Sequence, residues 1–205
     1  MYTSKGTIQN YLMTDIDSSF DTQINNWITT AQAYINHYTG RPDGFEGDNS
    51  ATVRYYDGNG DIEIDIDECV EVTAVEILDA NSSSVGYTLT SGLDNDYITL
   101  PHQSAVDGTP IYRLKLIPNS TVGAWYRGTG RIKITAKWGY GTSVPKDIEY
   151  ATTVLVASII EKGLNGGKVK AEALGDYSIS YENIDDSDQA LGVKRILDNY
   201  KRFII

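Results

Sequence analysis

The stretch Asp61-Ile62-Glu63-Ile64-Asp65-Ile66-Asp67 alternates acidic and apolar residues without interruption. Successive side chains of a β-strand point to opposite faces, so this period of two predicts a strand with one apolar face and one acidic face. Strands of antiparallel sheets commonly rest one face on a core and turn the other to solvent. The stretch therefore predicts an antiparallel β module in the middle of the 205-residue chain.

The same period extends from about residue 52 to residue 138. Runs of Gly, Asn, Asp, Ser and Pro interrupt it, as turns between strands require. Six short strands separated by such turns favour a small antiparallel sandwich or barrel. Besides the stretch above, the predicted strands are residues 72–78, 86–90, 97–100, 111–117 and 131–138.

Both ends of the chain change to helical spacing. A short helix is predicted over residues 4–13. A longer amphipathic helix is predicted over residues 21–38, with Asp21 as its N-cap and Gly40 just past its end. Its apolar face consists of Ile24, Trp27, Ile28, Ala31, Ile35 and Tyr38.

After the β module, Pro145 is suited to open a second long helix that runs to about residue 163. This helix is apolar on most sides and is expected to be buried. A short strand is predicted over residues 173–182. A last helix, capped by Asp188, is predicted to run to the C-terminus. Its apolar stripe is Val193, Ile196, Leu197, Tyr200 and Ile204.

These elements predict an α+β fold with two domains. Helices from both termini, residues 1–45 and 139–205, form a framework, and residues 46–138 form an inserted antiparallel β module. The composition, 40% hydrophobic and 22% charged, is typical of globular proteins. No apolar run approaches the roughly 20 residues of a membrane helix, and the first residues lack the apolar core of a signal peptide. We expect a protein made and kept inside a cell.

Charge is spread unevenly along the chain. Residues 43–107 contain fifteen acidic residues and one basic residue, Arg54, which gives −14. The whole chain carries −11, so the rest carries +3. A strongly acidic segment does not bind DNA through its phosphates, and it repels DNA that passes nearby.

Catalytic and metal-binding signatures are missing from the sequence. It has two histidines, His37 and His102, and none of the common zinc, redox, nucleophile or phosphate-loop motifs. Cys69 lies between Glu68 and Glu71, and nearby acids raise a thiol pKa, so an inert, half-buried cysteine is expected. The glycine-rich residues 126–130 are interpreted as a hairpin loop. We predict no enzymatic activity, no cofactor and no metal.

One stretch resembles a calcium loop, with Asp57, Asn59 and Asp61 at its first, third and fifth positions and Glu68 at its twelfth. The sixth position, where such a loop needs Gly for a sharp turn, is Ile62. Because the residues that follow alternate as a strand, a β-hairpin turn is the favoured interpretation.

Carboxylate pairs and aromatic residues carry two further alternatives. Asp65 with Asp67, and Asp185 with Asp186, could suggest paired acids of a hydrolase, but a solvated acidic face is favoured. A cluster of aromatic residues could form a sugar-binding platform, although core and interface packing is favoured. The cluster is Trp125, Tyr126, Trp138 and Tyr140.

Three stretches together resemble the head–tail connector proteins of tailed double-stranded DNA bacteriophages. Residues 31–41, ending Tyr38-Thr39-Gly40-Arg41, resemble the end of that family's second helix. Trp138-Gly139-Tyr140 and Val144-Pro145, followed by Ile148 and Ala151, resemble its approach to the central helix. Residues 170–181, with Gly175-Asp176-Tyr177, resemble the segment after that helix.

The resemblance implies a structural virion protein made in the host cytoplasm and located in the neck. Such an adaptor, a head-completion protein, forms a homo-oligomeric ring, commonly a dodecamer, under the portal. It joins the DNA-filled capsid to the stopper or tail-completion protein and lines a channel for DNA that it does not bind specifically. The motif residues carried over are structural: Tyr38, Thr39, Gly40, Arg41, Pro145, Gly175, Asp176 and Tyr177.

The C-terminal residues are the predicted portal-docking site. They combine basic and apolar side chains at a chain end, where residues are usually polar. The alternative is that the helix folds back and buries Ile204. A β-rich carbohydrate- or surface-binding module of a phage particle is the alternative function. The docking candidates are Lys194, Arg195, Tyr200, Lys201, Arg202, Phe203, Ile204 and Ile205.

Overall fold

The computed structural model describes residues 1–80, 82–165 and 188–202. Backbone contacts divide the chain into two compact units: Met1–Pro42 with Val144–Ile205, and Asp43–Ser143. We call them the helical unit and the β unit. Because the first contains the long helices and the second one antiparallel sheet, the fold is α+β.

The helices and strands follow one another in an order close to the predicted one. The described helices are α1 (Lys5–Leu12), α2 (Asp21–Thr39), α3 (Ser104–Asp107), α4 (Lys146–Asn165) and α5 (Asp188–Asp198). The described strands are β1 (Thr52–Gly58), β2 (Glu63–Leu78), β3 (Val85–Leu89), β4 (Tyr97–Leu100), β5 (Ile111–Leu116) and β6 (Gly128–Trp138).

The start of α2 differs from the prediction. Asp21 was expected to be its N-cap, but the N-cap is Phe20, which makes no side-chain hydrogen bond there. A short 3-10 helix, Ser18–Phe20, precedes α2, and the Asp17 side chain caps that turn by accepting from the Ser19 N–H. The chain is therefore already helical at Asp21, whose carboxylate lies 2.5 Å from Lys5 Nζ.

The core of the helical unit lies around α4, which contacts α1, α2 and α5. Every residue from 151 to 157 is buried, which confirms the predicted buried helix. Ile24, Ile28 and Ile35 of α2 are buried as its apolar stripe predicts, while Trp27 and Tyr38 are half-buried.

The last helix is shorter than predicted. α5 ends at Asp198. Tyr200 lies in the turn that follows, and its backbone N–H donates to the Leu197 carbonyl at 3.0 Å. The Arg202 N–H then donates to the Thr39 carbonyl at 2.9 Å instead of continuing the helix. The predicted strand over residues 173–182 and the terminal residues 203–205 lie outside the described residues.

The β unit is one antiparallel sheet with the strand order β1-β6-β2-β5-β4, and β3 also pairs with β2. Two predicted strands, in residues 62–67 and 72–78, are a single 16-residue strand, β2. Residues 68–71 carry no Gly or Pro that would end a strand, and register shifts at Cys69/Glu71 and Val72/Ala74 let one strand continue along β6.

Three further expectations for this region are wrong. β1 was not predicted as a strand, yet it forms an edge of the sheet. The turns at 57–61 and 126–130 are not hairpins, because β6 lies between β1 and β2, and residues 128–130 begin β6. Among the described residues no pairing joins β1 to β4, so hydrogen bonds do not close the sheet into a barrel.

One hydrophobic cluster fills the β unit. Ile64 and Ile66 are buried, as the alternation predicts, whereas Ile62 precedes β2 and is 51% exposed. The sixteen buried members come from strands and loops alike. They are Ile64, Ile66, Cys69, Val75, Ile77, Leu89, Tyr97, Ile111, Leu114, Leu116, Val122, Trp125, Ile132, Ile134, Ala136 and Trp138.

Candidate assembly surfaces

The residues before and after the end of α2 contact the C-terminal segment. Tyr38 Oη donates to Asp198 Oδ1 at 2.7 Å, and Lys201 Nζ lies 2.8 Å from the same oxygen. The ammonium also sits 4.4 Å from the centroid of the Tyr38 ring, a cation–π distance. Lys201 first, and then Tyr38, lower the pKa of the Asp198 carboxyl by stabilising its charged form.

The backbone completes this contact. Arg202 N–H donates to the carbonyl of Thr39, the last residue of α2. Gly40 adopts a left-handed φ of +69°, and a Cβ placed on it would lie 3.7 Å from the Arg202 carbonyl oxygen. We call Tyr38, Thr39, Asp198, Lys201 and Arg202 the C-terminal clasp.

The remaining motif residues that the structure describes make local backbone hydrogen bonds. Arg41 is buried, and its N–H donates to the Asn36 carbonyl at 2.9 Å, which satisfies a carbonyl of the last helical turn. The Pro145 carbonyl accepts from the N–H groups of Ile148 and Glu149, both at 3.0 Å, so it starts α4. Gly175, Asp176 and Tyr177 lie outside the described residues.

The structure separates the portal-docking candidates into three groups. Lys194 and Arg195 are exposed on α5. Tyr200 is half-buried, and Lys201 and Arg202 are members of the clasp. Phe203, Ile204 and Ile205 follow directly after the clasp but lie outside the described residues.

The sequence suggested that the acidic face of β2 is solvated. In the structure, basic residues of neighbouring strands also form ion pairs with it. Glu63 pairs with Lys115 at 2.8 Å and with Arg113 at 3.2 Å, and Arg113 also pairs with Asp65. Glu76 pairs with Lys133 of β6 at 2.7 Å. Glu71 pairs with Lys137 of the same strand, also at 2.7 Å.

Arg54 organises a second group of carboxylates in this unit. Its guanidinium lies 2.6 Å from Asp43 and 2.9 Å from Asp67, and it stacks 4.4 Å above the Trp138 ring. Asp67 also accepts from Tyr56 Oη at 2.8 Å, and burial is the main cause that raises the pKa of Tyr56. Asp67 is therefore held by Arg54 and Tyr56 together.

The charge balance of the whole β unit is less extreme than that of its first part. Residues 108–143 add six basic residues and no acidic residue to the −14 of residues 43–107. The unit therefore carries −8, and the helical unit carries the remaining −3 of the total −11. An excess this large still disfavours binding to DNA phosphates.

The calcium-like loop uses its oxygens internally. Asp57 Oδ1 accepts from the Gly130 N–H at 2.7 Å, and Asn59 Oδ1 accepts from the Asp61 N–H at 2.9 Å. Within the ranges that the structure describes, no group of three or more His, Cys, Asp or Glu residues could hold a metal ion. Asp57 and Asn59 therefore each have a hydrogen-bond partner within the β unit.

The predicted aromatic cluster does not form a sugar-binding platform. Trp125 and Trp138 are fully buried, and their indole N–H groups donate to the carbonyls of Ile62 and Thr52, both at 3.1 Å. Tyr126 packs edge-on against Tyr87 with the ring centroids 5.8 Å apart. The two indoles therefore belong to the core, which was the favoured interpretation.

Cys69 is fully buried in this core rather than half-buried. Burial raises the pKa of its thiol to about 12, which makes it a poor nucleophile at neutral pH. The main cause is loss of solvent, and not the neighbouring acids that the sequence pointed to.

Sequence reasoning missed two features. Asp96 is 8% exposed, and its carboxylate accepts from the N–H groups of Thr90 and Thr121 at 2.8 and 2.7 Å and from the Thr121 hydroxyl. At the turn before α2, Met13 and Phe20 are 93% and 49% exposed. Hydrophobic periodicity does not predict that a carboxylate in a loop is buried, or that an apolar residue outside a helical stripe is exposed.

No protein-family model and no curated protein matches the sequence. A chain in the neck of an empty gene transfer agent (GTA) particle, computed with C6 symmetry, is 15% identical, and the match covers 90% of this chain and 80% of that one with a TM-score of 0.50. A chain in the neck of the native particle, computed with C12 symmetry, is 16% identical, with 91% and 86% covered and a TM-score of 0.49. A chain in the virion of the native particle is 16% identical, with 90% and 79% covered and a TM-score of 0.48.

The chain therefore shares the fold of the first of these neck chains. At 15% identity, the likeness shows the fold alone. In the part of the chain that the structure describes, none of the helices has the length and apolar character of a membrane span.

Proposed function

We propose that the chain is a structural protein of the neck of a tailed-phage-like particle, a head–tail adaptor without enzymatic activity. The observation that carries the proposal is the fold shared with a GTA neck chain over 90% of this chain. Because one fold can host many functions, the three stretches that resemble head–tail connectors are its second support.

In this proposal, copies form a ring under the portal, with twelve as the expected number. A ring of twelve identical subunits obeys the C6 symmetry of that GTA neck. Ring closure needs two different faces on each subunit that fit one another. The fifteen tyrosines of the chain are compatible with extensive interfaces, where tyrosine is enriched.

The ring would join the DNA-filled capsid to the stopper or tail-completion protein and surround the DNA channel. The charge of −8 on the β unit suits a surface that DNA passes without binding. We further propose that residues 46–138 are a domain inserted into the helical adaptor domain of residues 1–45 and 139–205. The division of backbone contacts near both boundaries supports this organisation.

For portal docking, we propose that the extreme C-terminus makes the contact. Lys201 and Arg202 already take part in the clasp, and residues 203–205 follow them directly in the sequence. Deletion of residues 203–205 should abolish binding of the purified chain to portal, whereas the clasp and the melting temperature should persist. Full portal binding by the truncated chain would refute this assignment.

Deleting the gene for this chain from the genome that encodes the particle tests the neck assignment. We expect DNA-filled heads and separate tails in electron micrographs, with joined particles restored when the chain is supplied in trans. A cryo-EM map should place copies of the chain in a ring between portal and tail. A map that places the chain on the capsid surface or at the tail tip would favour the surface-binding alternative instead.

A further inference from the structure

We infer that neighbouring copies of this chain join head to tail through two oppositely charged ends of the helical unit. Each end therefore binds the opposite end of another copy. The inference rests on the proposed ring and specifies which surfaces close it. It is carried by the charge, the exposure and the relative position of these two ends.

The acidic end consists of Met13, Asp15, Asp17 and Phe20, all exposed. Met13 ends α1 in a left-handed conformation, with φ of 51°. With 93% of Met13 and 49% of Phe20 exposed, this end combines two carboxylates with two large apolar side chains. Apolar residues concentrated at an otherwise polar surface are typical of a contact site.

The basic end consists of Lys194 and Arg195, exposed on α5, together with the adjoining clasp. Residues 194–202 contain four basic residues and one acid, Asp198, and carry a net +3. Tyr34 and Tyr38 of α2 add an aromatic pair whose centroids lie 5.9 Å apart. Arginine and tyrosine are both enriched at protein interfaces.

The two ends are separated by the length of α2. Phe20 is the N-cap of this 19-residue helix, whereas its last residue, Thr39, contacts Arg202 of the clasp. A rise of about 1.5 Å per residue places Phe20 and Thr39 about 28 Å apart. Like ends repel and unlike ends attract, so charge disfavours a two-fold contact in which an end meets the same end of another copy. Because the two ends lie at opposite ends of α2, head-to-tail contact of unlike ends leaves one end of each copy free for the next, and such a heterologous contact generates rings.

This assignment divides the portal-docking candidates. Lys194 and Arg195 contact the next copy, and the portal contact stays assigned to residues 203–205. It also predicts salt dependence, because exposed charges are screened over about 8 Å at physiological ionic strength. Raising the salt concentration should therefore decrease the fraction of wild-type chain in rings.

Charge reversal in pairs tests the inference. Variant A carries Asp15→Lys with Asp17→Lys, so both of its ends are basic. Variant B carries Lys194→Glu with Arg195→Glu, which changes the net charge of its basic end from positive to negative. We expect at least a tenfold loss of rings for either variant alone, and recovery when A and B are mixed, since A and B can then alternate around a ring.

Rings are counted by mass photometry and negative-stain microscopy, in solution and on purified portal, and melting temperatures check folding. The control, Asp94→Lys with Asp107→Lys, makes the same charge change as variant A on exposed residues of the β unit and should form rings normally. Rings formed by A or B alone, or no recovery on mixing folded A and B, would overturn the inference and leave the neck function standing. A wild-type chain that forms no ring in solution, on portal or in particles would instead refute the proposed ring.

Discussion

Charged residues pair differently in the two units. In the helical unit, Lys146 with Glu149 and Lys201 with Asp198 are three residues apart on the chain, and one pair, Lys5 with Asp21, joins two helices. In the β unit, the ion pairs cross between strands, as when Lys133 of β6 meets Glu76 of β2. The core follows the same division, since the apolar faces of single helices meet around α4, whereas the β unit collects buried residues from strands and loops.

The difference shows which interactions each unit needs to fold. A helix forms its backbone hydrogen bonds within one segment, so tertiary packing only has to cover its apolar face. A sheet exists only when distant segments pair, so its stability depends on contacts that span much of the sequence. Single substitutions should therefore have their largest effects in the β unit, at residues where several segments meet.

The largest effect is expected for Trp138→Ala. This fully buried side chain contacts Arg54 and Tyr56, and its indole N–H donates to the Thr52 carbonyl of β1. Its removal should lower the free energy of unfolding of the β unit by about 3–5 kcal/mol, the usual cost of truncating a buried aromatic residue. Urea denaturation followed by tryptophan fluorescence measures the change, with Trp27 of α2 replaced by Phe in both proteins so that the signal comes from the β unit.

Ile35→Ala is the matched variant in the helical unit, because Ile35 is buried in α2. If the two units are separate domains, it should shift the transition seen in the helical circular-dichroism signal and leave the fluorescence transition of the β unit in place. One common transition that shifts equally in both variants would show that the units unfold as a single cooperative body.

Asp96→Asn should have the next largest effect. The carboxylate ties the loop before β4 to Thr121, and its hydrogen bonds keep its pKa low although burial alone would raise it. The Asn side chain has one oxygen and one NH₂ group where Asp96 has two oxygens. One of the two backbone N–H groups, of Thr90 or Thr121, therefore faces another donor and loses its acceptor. We expect a loss of about 2–4 kcal/mol in the β unit. Asp94→Asn, at an exposed neighbour, is the control, and an equal loss there would contradict the role given to the Asp96 hydrogen bonds.

Order within one segment could be predicted from the sequence, whereas the pairing of distant segments could not. The apolar stripe of α2 and the apolar character of α4 each lie within one segment, and both helices are found close to the predicted bounds. Strands β3, β4, β5 and β6 were also located, because period and turn residues are local signals. Their partners were not, so the order β1-β6-β2 and the absence of a hairpin at 57–61 could not be foreseen.

The charged face of β2 illustrates the limit for candidate sites. Alternation predicted which side chains share the face of Glu63 and Asp65, but not that Arg113 and Lys115 would lie beside them. Similarly, Cys69 was expected to be inert because of its acidic neighbours, whereas its position in the core raises its pKa. In both cases the deciding contacts come from residues distant in sequence.

The smallest effect is expected at the C-terminal clasp, where the contacts are exposed. Asp198→Asn removes a carboxylate whose pKa is lowered, first by Lys201 and then by Tyr38. A lowered pKa stabilises the folded form above the ordinary carboxyl pKa of about 3.9, and that contribution disappears as the pH falls through the lowered value. The difference between wild type and variant should therefore be largest near neutral pH and vanish in acid.

Amide exchange of Arg202 reports on the clasp directly, because its N–H donates to the Thr39 carbonyl. Corrected for intrinsic rates, its protection should decrease in Asp198→Asn at neutral pH and less in Tyr38→Phe, which keeps the ion pair between Lys201 and Asp198. Protection that is unchanged in both variants would mean that the backbone hydrogen bond holds the segment by itself. A loss that is equal at neutral and acidic pH would contradict the electrostatic role of Asp198.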